Sequence, residues 1–155
     1  MGCKGLNITI PYKQNVLKLC NEVSTVAKEI QAVNTLIPNS NNGWTGTNTD
    51  IEGFLKPLEE KQLEGKRALV LGCGGSARAV VAGLKRMKLS QISVMSRNHH
   101  SINTFLKDAN ALSNSINDQR QIIEGIVHDE IKTTKHINTA DLIINTTPVG
   151  MTQEK

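Results

Sequence analysis

The chain has 155 residues, of which 38% are hydrophobic and 3% aromatic, and its formal net charge is +4. This length allows one domain or two small ones, with a core of aliphatic side chains. The positive charges are spread along the sequence, which argues against a nucleic-acid-binding stripe and suits a small anionic ligand. The cysteines and histidines show no zinc-ligand spacing, and no apolar run reaches the about 20 residues that cross a bilayer. We therefore expect a cytoplasmic protein without metal, nucleic-acid or membrane partners; its oligomeric state stays open.

The first part of the sequence predicts short strands and helices. Residues 4–10, which include the letters NITI, alternate polar and β-branched side chains as a strand does, and Pro11 ends this pattern. Residues 16–30 carry apolar side chains at steps of three and four, which predicts one face of a helix. A second helix is expected to begin at Asp50, whose carboxylate would cap the free amides. A strand and a turn are predicted between these helices, at residues 32–38 and 39–43.

The pattern changes after residue 65. Residues 57–65 are polar and charged, as is typical of a linker or a linking helix. Residues 68–71 are continuously apolar, which indicates a strand buried on both faces of a parallel sheet. The later predicted elements are a helix at 77–87, a strand at 92–95, a helix at 103–112, and strands at 121–127 and 141–145. This alternation of strands and helices predicts a βαβ layout and an α/β fold.

The letters LVLGCGGSA place a glycine-rich turn between the apolar strand and its helix. Such a turn lets backbone amides approach a pyrophosphate, and the helix N-terminus adds partial positive charge. The spacing is close to GxGxxA, and Ala77 is small enough for tight helix–strand packing. A tight turn without a ligand is the alternative. The motif predicts that a dinucleotide is bound by Gly72, Cys73, Gly74, Gly75 and Ser76.

The end of the next strand indicates which dinucleotide is bound. An acidic residue at this point would hold the ribose 2′-hydroxyl of NAD. The sequence instead has Ser96, Arg97 and Asn98. An arginine can pair bidentately with a 2′-phosphate, and its two polar neighbours can add hydrogen-bond donors. We therefore expect NADP as the cofactor, with a solvated surface arginine as the alternative.

Five short motifs, in this order and at about this spacing, resemble those of the shikimate dehydrogenases: NITIPYK, AVNTL, GTNTD, LGCGGSARA and NTTPVGM. The resemblance implies part of a substrate-binding α/β domain at residues 1–58 and a linker at 59–65. It also implies part of an NADP-binding Rossmann domain, a doubly wound parallel sheet, at residues 66–155. The implied reaction is the reversible NADPH-dependent reduction of 3-dehydroshikimate to shikimate, a step of aromatic amino-acid biosynthesis.

The resemblance also assigns roles to individual residues. Lys13 matches the catalytic lysine and Asp50 the aspartate that partners it, while Thr9 and Asn34 match residues that contact the substrate. The chemistry agrees, because hydride transfer puts negative charge on a carbonyl oxygen that an ammonium group can stabilise and protonate. Pro11 would fix the backbone direction so that Lys13 projects into the cleft. Taken singly, Lys13 is also consistent with a solvated charge, and Asp50 with a helix cap.

The resemblance leaves other interpretations open. The family's Ser-x-Ser segment, which binds the substrate carboxylate, and a later substrate-binding glutamine are missing, so we expect a fragment with little or no activity alone. The alternatives within enzymes are a quinate or quinate/shikimate dehydrogenase and one module of a fused dehydratase–dehydrogenase. The alternatives outside enzymes are a non-catalytic NADP-binding module and a structural domain without a ligand.

Overall fold

The computed structural model describes residues 2–111 and 121–150, and for residues 110 and 111 only the backbone. Its front half, residues 2–58, contains β1 (Leu6–Asn7), β2 (Glu22–Val23), α1 (Thr25–Ile30), β3 (Thr35–Pro38), β4 (Trp44–Thr47) and α2 (Asp50–Leu55), with 3-10 turns at Val16–Leu19 and Lys56–Leu58. These strands form a sheet in the order β1-β3-β4-β2. The strands β1 and β4 run antiparallel to β3, and β2 runs parallel to β4.

The rear half, the described residues from 66 to 150, alternates strands and helices. Its elements are β5 (Arg67–Leu71), α3 (Gly75–Arg86), β6 (Gln91–Ser96), α4 (His99–Ala111), β7 (Ile122–Val127), α5 (Glu130–Thr139) and β8 (Leu142–Asn145). The strands run parallel in the order β7-β6-β5-β8. In chain order of the rear half this is 3-2-1-4, the strand order of a Rossmann half. The predicted α/β fold with a parallel sheet is confirmed.

The apolar strand β5 and the helix α3 occupy the centre of the rear half. Ala68, Leu69 and Val70 are almost fully buried, because helices cover both faces of a parallel sheet. The helix α3 has eight buried residues and begins two positions before the predicted residue 77. None of the helices in the described residues is long and apolar enough to cross a membrane.

The first predicted strand is wrong in length. Only Leu6 and Asn7 form a strand, and β1 pairs antiparallel with β3 at the edge of its sheet. The side chain of Leu6 is 45% exposed, so β1 is not a buried strand. The extended run ends early because the chain turns, and the Tyr12 amide donates to the Thr9 carbonyl at 2.9 Å.

The single helix predicted at residues 16–30 is also wrong. Its sequence is divided among a 3-10 turn, β2 and α1. Asn21 exchanges backbone and side-chain hydrogen bonds with Trp44, which draws this segment into the sheet beside β4. Ser24 then caps α1, because its hydroxyl accepts from the Ala27 amide at 3.2 Å. Pairing with a distant strand therefore overrides the helical spacing of the apolar residues.

The helix α5 was not predicted from the sequence. No residue of α5 is buried, and Ile131 is 84% exposed, so the helix lacks the apolar stripe on which the sequence analysis relied. The available signal was Asp129, whose carboxylate caps the helix by accepting from the Lys132 amide at 2.8 Å. The helix α4 starts at His99, four positions before the prediction, and the predicted last residue, Leu112, lies outside the described residues.

The two halves share an apolar cluster, which fixes their relative position. Ile51 from α2 packs with Ala79 and Ala82 from α3, and all three are buried. Ile30 and Ala32 complete this cluster from the front half. The division into residues 1–58, 59–65 and 66–155 stays a prediction, since a shared cluster does not locate a domain boundary.

Candidate active site

Lys13 and Asp50 form an ion pair although they lie far apart in the sequence. Lys13 Nζ is 2.7 Å from Asp50 Oδ2, and the two side chains are 13% and 32% exposed. The backbone of Lys13 is held because its carbonyl accepts from the Val33 amide at 2.7 Å. Asp50 is the first residue of α2 and follows shortly after β4. The fold thus brings the two groups of the predicted catalytic pair together in a partly buried place.

Asn34 orients the carboxylate of this pair. Its side-chain amide donates to Asp50 Oδ1 at 2.7 Å, while Lys13 binds the other oxygen. Its Oδ1 accepts from the Thr49 amide at 3.0 Å, so the direction of the amide is determined. Both oxygens of Asp50 therefore have a donor, and the carboxylate cannot rotate without losing one.

Asp50 does not act as the predicted cap of α2. The N-cap position belongs to Thr49, and the Asp50 amide is bound instead by Asn48 Oδ1 at 2.9 Å. The reason is that the carboxylate of Asp50 binds Lys13 and Asn34. The helix-cap alternative raised for Asp50 is therefore wrong.

Thr9 lies on the same segment as Lys13. It is exposed, and its backbone carbonyl closes the turn that leads to Tyr12. Nothing in the structure tests its contact with a substrate, so its role stays a prediction.

The glycine turn lies at the carboxyl end of β5, where the strand order of the sheet reverses between β5 and β8. In open α/β sheets, ligands bind at this switch point. Gly72 has a φ of +105°, and a Cβ there would come within 2.6 Å of Thr146 Oγ1, so the turn requires glycine. Gly74 is the N-cap of α3, and a Cβ there would meet nothing within 4 Å. The backbone is thus open to a ligand beside a helix N-terminus.

A cleft of about 330 Å³ joins this turn to the ion pair. Its walls come from both halves: Ile10, Pro11, Lys13, Gln14, Gly72, Cys73, Gly74, Gly75, Ser76, Thr146, Thr147 and Pro148. Lys13 Nζ also donates to Ser76 Oγ at 3.4 Å, so the amine lies between the carboxylate and the start of α3. The structure therefore places the predicted phosphate loop and the predicted catalytic lysine in one cleft.

Ser96 is the last residue of β6, and Arg97 and Asn98 follow it at the same edge of the sheet. Arg97 and Asn98 are exposed, and Asn98 Oδ1 accepts from the Ser101 amide at 3.1 Å near the start of α4. Ser96 Oγ accepts from the Asn98 amide at 3.5 Å. This segment presents a cation and a helix N-terminus, which together favour an anion.

Sequence reasoning missed Gln14, which lines the cleft, and Arg78, which contacts Gln14. Arg78 is buried in α3 and forms an ion pair with Asp108. The available signal was that Arg78 lies between two alanines on a helix, because a charged residue among small apolar ones indicates a buried charge with a partner. In the described residues there is no group of three His, Cys, Asp or Glu residues that could hold a metal ion.

The strand order and the glycine turn at the switch point define the class of this chain, a Rossmann-type α/β protein with an added mixed sheet. Comparisons with known proteins then show what the chain is similar to. The family model for the shikimate dehydrogenase substrate binding domain matches residues 1–36. The shikimate dehydrogenase (NADP(+)) of Prochlorococcus marinus strain MIT 9515 is 49% identical over 153 residues, which are 99% of this chain and 51% of that protein.

Solved structures agree with this result. The chain matches the shikimate dehydrogenase of Aquifex aeolicus with a TM-score of 0.77 and 30% identity, over 98% of this chain and 51% of that one. It matches a quinate dehydrogenase of Corynebacterium glutamicum, solved in complex with NAD, with a TM-score of 0.75 and 32% identity, over 95% of this chain and 50% of that one. The resemblance to the shikimate dehydrogenases is confirmed. The chain spans about half the length of the curated relatives it matches.

Proposed function

We propose that this chain carries the catalytic pair and the phosphate loop of an NADP-dependent shikimate dehydrogenase, which reversibly reduces 3-dehydroshikimate to shikimate. The observation that carries the proposal is the 2.7 Å pair of Lys13 and Asp50 in a cleft that is also lined by Gly72 to Ser76. The names of the Prochlorococcus relatives support both the substrate and the cofactor.

Lys13 is the proposed proton donor. Its ammonium group stabilises the charge that develops on the ketone oxygen and then protonates that oxygen. Asp50 is held by Lys13 on one oxygen and by Asn34 on the other, so its carboxylate has a fixed direction from which it accepts from a substrate hydroxyl. Asn34 and Thr9 add neutral polar groups, which suit a ring with several hydroxyls.

The residues of the rear half fit a dinucleotide. Open space at Gly74 and the N-terminus of α3 suit a pyrophosphate, which Gly72, Cys73, Gly75 and Ser76 would also bind. Arg97, with Ser96 and Asn98, would bind the 2′-phosphate of NADP. When bound, NADPH supplies the hydride, so the reaction needs no metal. In this proposal residues 1–58 bind the substrate and residues 66–155 the cofactor.

Replacement of the proposed proton donor tests the activity. We expect Lys13→Ala to lower shikimate-dependent NADP⁺ reduction by about 10²- to 10⁴-fold, the usual share of general acid catalysis. NADPH affinity, measured by fluorescence titration, should not change, because the phosphate loop is intact. Since the relatives are about twice as long, the assay uses this chain fused to the segments of the P. marinus relative that flank the matched half.

Lys18→Ala is the matched control, because Lys18 is an exposed lysine of the same segment. Equal turnover of the two variants would contradict the role of Lys13. Saturable NADPH binding without any turnover in the parent protein would favour the non-catalytic NADP-binding module instead.

A quinate dehydrogenase is the second candidate, because the structural match to the C. glutamicum enzyme is nearly as high as the match to the A. aeolicus enzyme. Quinate and shikimate differ at the ring carbon that bears the carboxylate. Rates measured with both compounds on the same fused protein separate the two activities.

A further inference from the structure

A buried arginine contacts Gln14, a residue that lines the cleft. Arg78 lies in the first turns of α3 and is 8% exposed. Its Nη2 is 2.6 Å from Asp108 Oδ2, and its guanidinium lies 5.4 Å from the ring centre of Phe105. A buried cation needs such partners, because removing it from water is costly. These contacts with α4 hold the guanidinium in a fixed position.

The remaining side of the guanidinium faces the segment that carries the proposed proton donor. With its side-chain amide turned so that the oxygen faces Arg78, Gln14 accepts from Nε at 2.5 Å and from Nη2 at 3.0 Å. Gln14 directly follows Lys13 in the sequence, and Gln14 is an exposed residue. The hydrogen bonds to a charged donor therefore anchor an otherwise exposed segment to α3.

Two neighbouring residues of α3 contact Lys13 itself. A Cβ on Gly75 would lie 3.0 Å from Lys13 Cβ and 3.2 Å from Lys13 Cδ, so the stem of the lysine packs directly on the glycine. Ser76 Oγ accepts from Lys13 Nζ. The first turn of α3 thus gives space to Lys13, binds its amine and, through Arg78, holds the residue after it.

We infer that Arg78 is a positioning residue for Lys13: by binding Gln14, it holds the lysine against Gly75 and beside Asp50. The inference rests on the proposed function for the importance of Lys13, whereas the geometry stands without it. In this inference α3, which begins at the phosphate loop, also holds the proposed proton donor in place. A purely structural arginine would stabilise the contact between α3 and α4 without affecting Lys13.

The test measures how fast Lys13 is acetylated by an N-hydroxysuccinimide ester in the 155-residue chain, using peptide mass mapping. Gln14→Leu removes the acceptor at similar volume and leaves Arg78 paired with Asp108. We expect Lys13 acetylation to rise on the order of tenfold, which corresponds to the loss of one hydrogen bond to a charged group. Gln14→Glu should restore the slow rate, because a carboxylate also accepts from the guanidinium.

Arg86→Ala is the matched control. Arg86 lies on the same helix and binds Glu29 Oε2 of the front half at 3.0 Å, but it is farther along α3 from Lys13. Its loss should leave Lys13 acetylation unchanged. The rates of Lys56 and Lys132 serve as internal references, since both lysines are exposed.

The inference is overturned if Gln14→Leu leaves the Lys13 rate unchanged, if Gln14→Glu fails to restore it, or if all lysines accelerate together. NADPH titration of the parent chain is a separate measurement. Failure to bind NADPH would count against the proposed function, whereas the acetylation rates would still decide the role of Arg78.

Discussion

Arg97 and Arg78 show how differently two arginines of one sheet-and-helix unit are used. Arg78 is buried and has its partners within the protein, so its charge serves the packing of α3 and the position of the Lys13–Gln14 segment. Arg97 is exposed at the carboxyl end of β6, where its guanidinium is available to a ligand. Exposure and location, rather than residue type, therefore make Arg97 the candidate for the 2′-phosphate.

Replacement of Arg97 tests this assignment. The parent chain should bind NADPH more tightly than NADH, and Arg97→Ala should remove most of that preference. The expected loss of NADPH affinity is roughly 10- to 100-fold, because a charge-assisted hydrogen bond contributes about 1.5–3 kcal/mol. Fluorescence titration with NADPH and with NADH measures both affinities and therefore the preference.

The control for this titration is Arg67→Ala. Arg67 belongs to the same sheet but lies at the amino end of β5, away from the cleft. If Arg97→Ala and Arg67→Ala weaken NADPH binding equally, Arg97 has no specific role.

At the scale of elements, the amino ends of β5 and β8 are joined by reciprocal hydrogen bonds. The Arg67 amide donates to Asp141 Oδ2 at 2.8 Å, and the Asp141 amide donates to the Arg67 carbonyl at 2.9 Å. The backbone amide of Arg67 lowers the pKa of Asp141, and the charges of Lys66 and Arg67 lower it further. The ionised carboxylate therefore stabilises the edge where β8 joins the sheet.

This contact predicts a pH-dependent contribution to stability. Because the folded pKa of Asp141 is below its unfolded value, the contribution is present above about pH 4 and is lost as the pH falls through the folded value. Asp141→Asn should therefore lower the melting temperature at pH 7, and the difference from the parent should shrink in acid. Thermal unfolding followed by circular dichroism between pH 7 and pH 3 measures this difference.

The exposed carboxylate variant Glu60→Gln is the control and should show a smaller effect at pH 7. A difference between Asp141→Asn and the parent that stays constant over the whole range would show that the charge of Asp141 is irrelevant.

At the scale of the whole molecule, one apolar cluster connects the two sheets. Ile51 is fully buried against alanines of α3, while Ile30 and Ala32 approach from the front half. Small residues on α3 allow α2 to pack closely, and this packing holds the front half against the helix whose first residues line the cleft with Lys13. Because Ile51 directly follows Asp50, this contact helps to hold the proposed catalytic pair beside the helix that begins at the phosphate loop.

Truncation of Ile51 tests this dependence. Ile51→Ala should lower the free energy of unfolding by about 2–5 kcal/mol, through lost burial and a cavity. Because the cluster is shared, both halves should lose stability together. Urea unfolding followed by fluorescence of Trp44, the single tryptophan of the chain, reports on the front sheet, and hydrogen exchange in β5 and β6 reports on the rear sheet.

Leu89→Ala is the matched control, since Leu89 is buried in the apolar cluster that contains β5, α3 and β6 residues of the rear half. Its loss should be first visible in β5 and β6. If Ile51→Ala destabilises the front sheet alone, the two halves fold independently and the shared cluster does not couple them.

The sequence by itself determined the centre of the rear half and the residues proposed for the candidate site. The strand β5, the helix α3 and the strand β6 were predicted because continuous apolar runs and helical spacing are local signals. The glycine turn was predicted for the same reason, since its strand and helix adjoin it. Lys13, Asp50 and Asn34 were predicted as one site from motifs that resemble a family, and the structure brings their side chains into contact.

Only the tertiary structure decided the features that depend on distant partners. Asn21 binds Trp44 and so divides the predicted helix at 16–30, and β1 pairs antiparallel because β3 lies beside it. Likewise, Arg78 has its position because Asp108 and Gln14 surround it. The physical reason is that a hydrophobic period reports on the neighbours of a residue along the chain, whereas hydrogen bonds and buried charges depend on groups that meet only after folding.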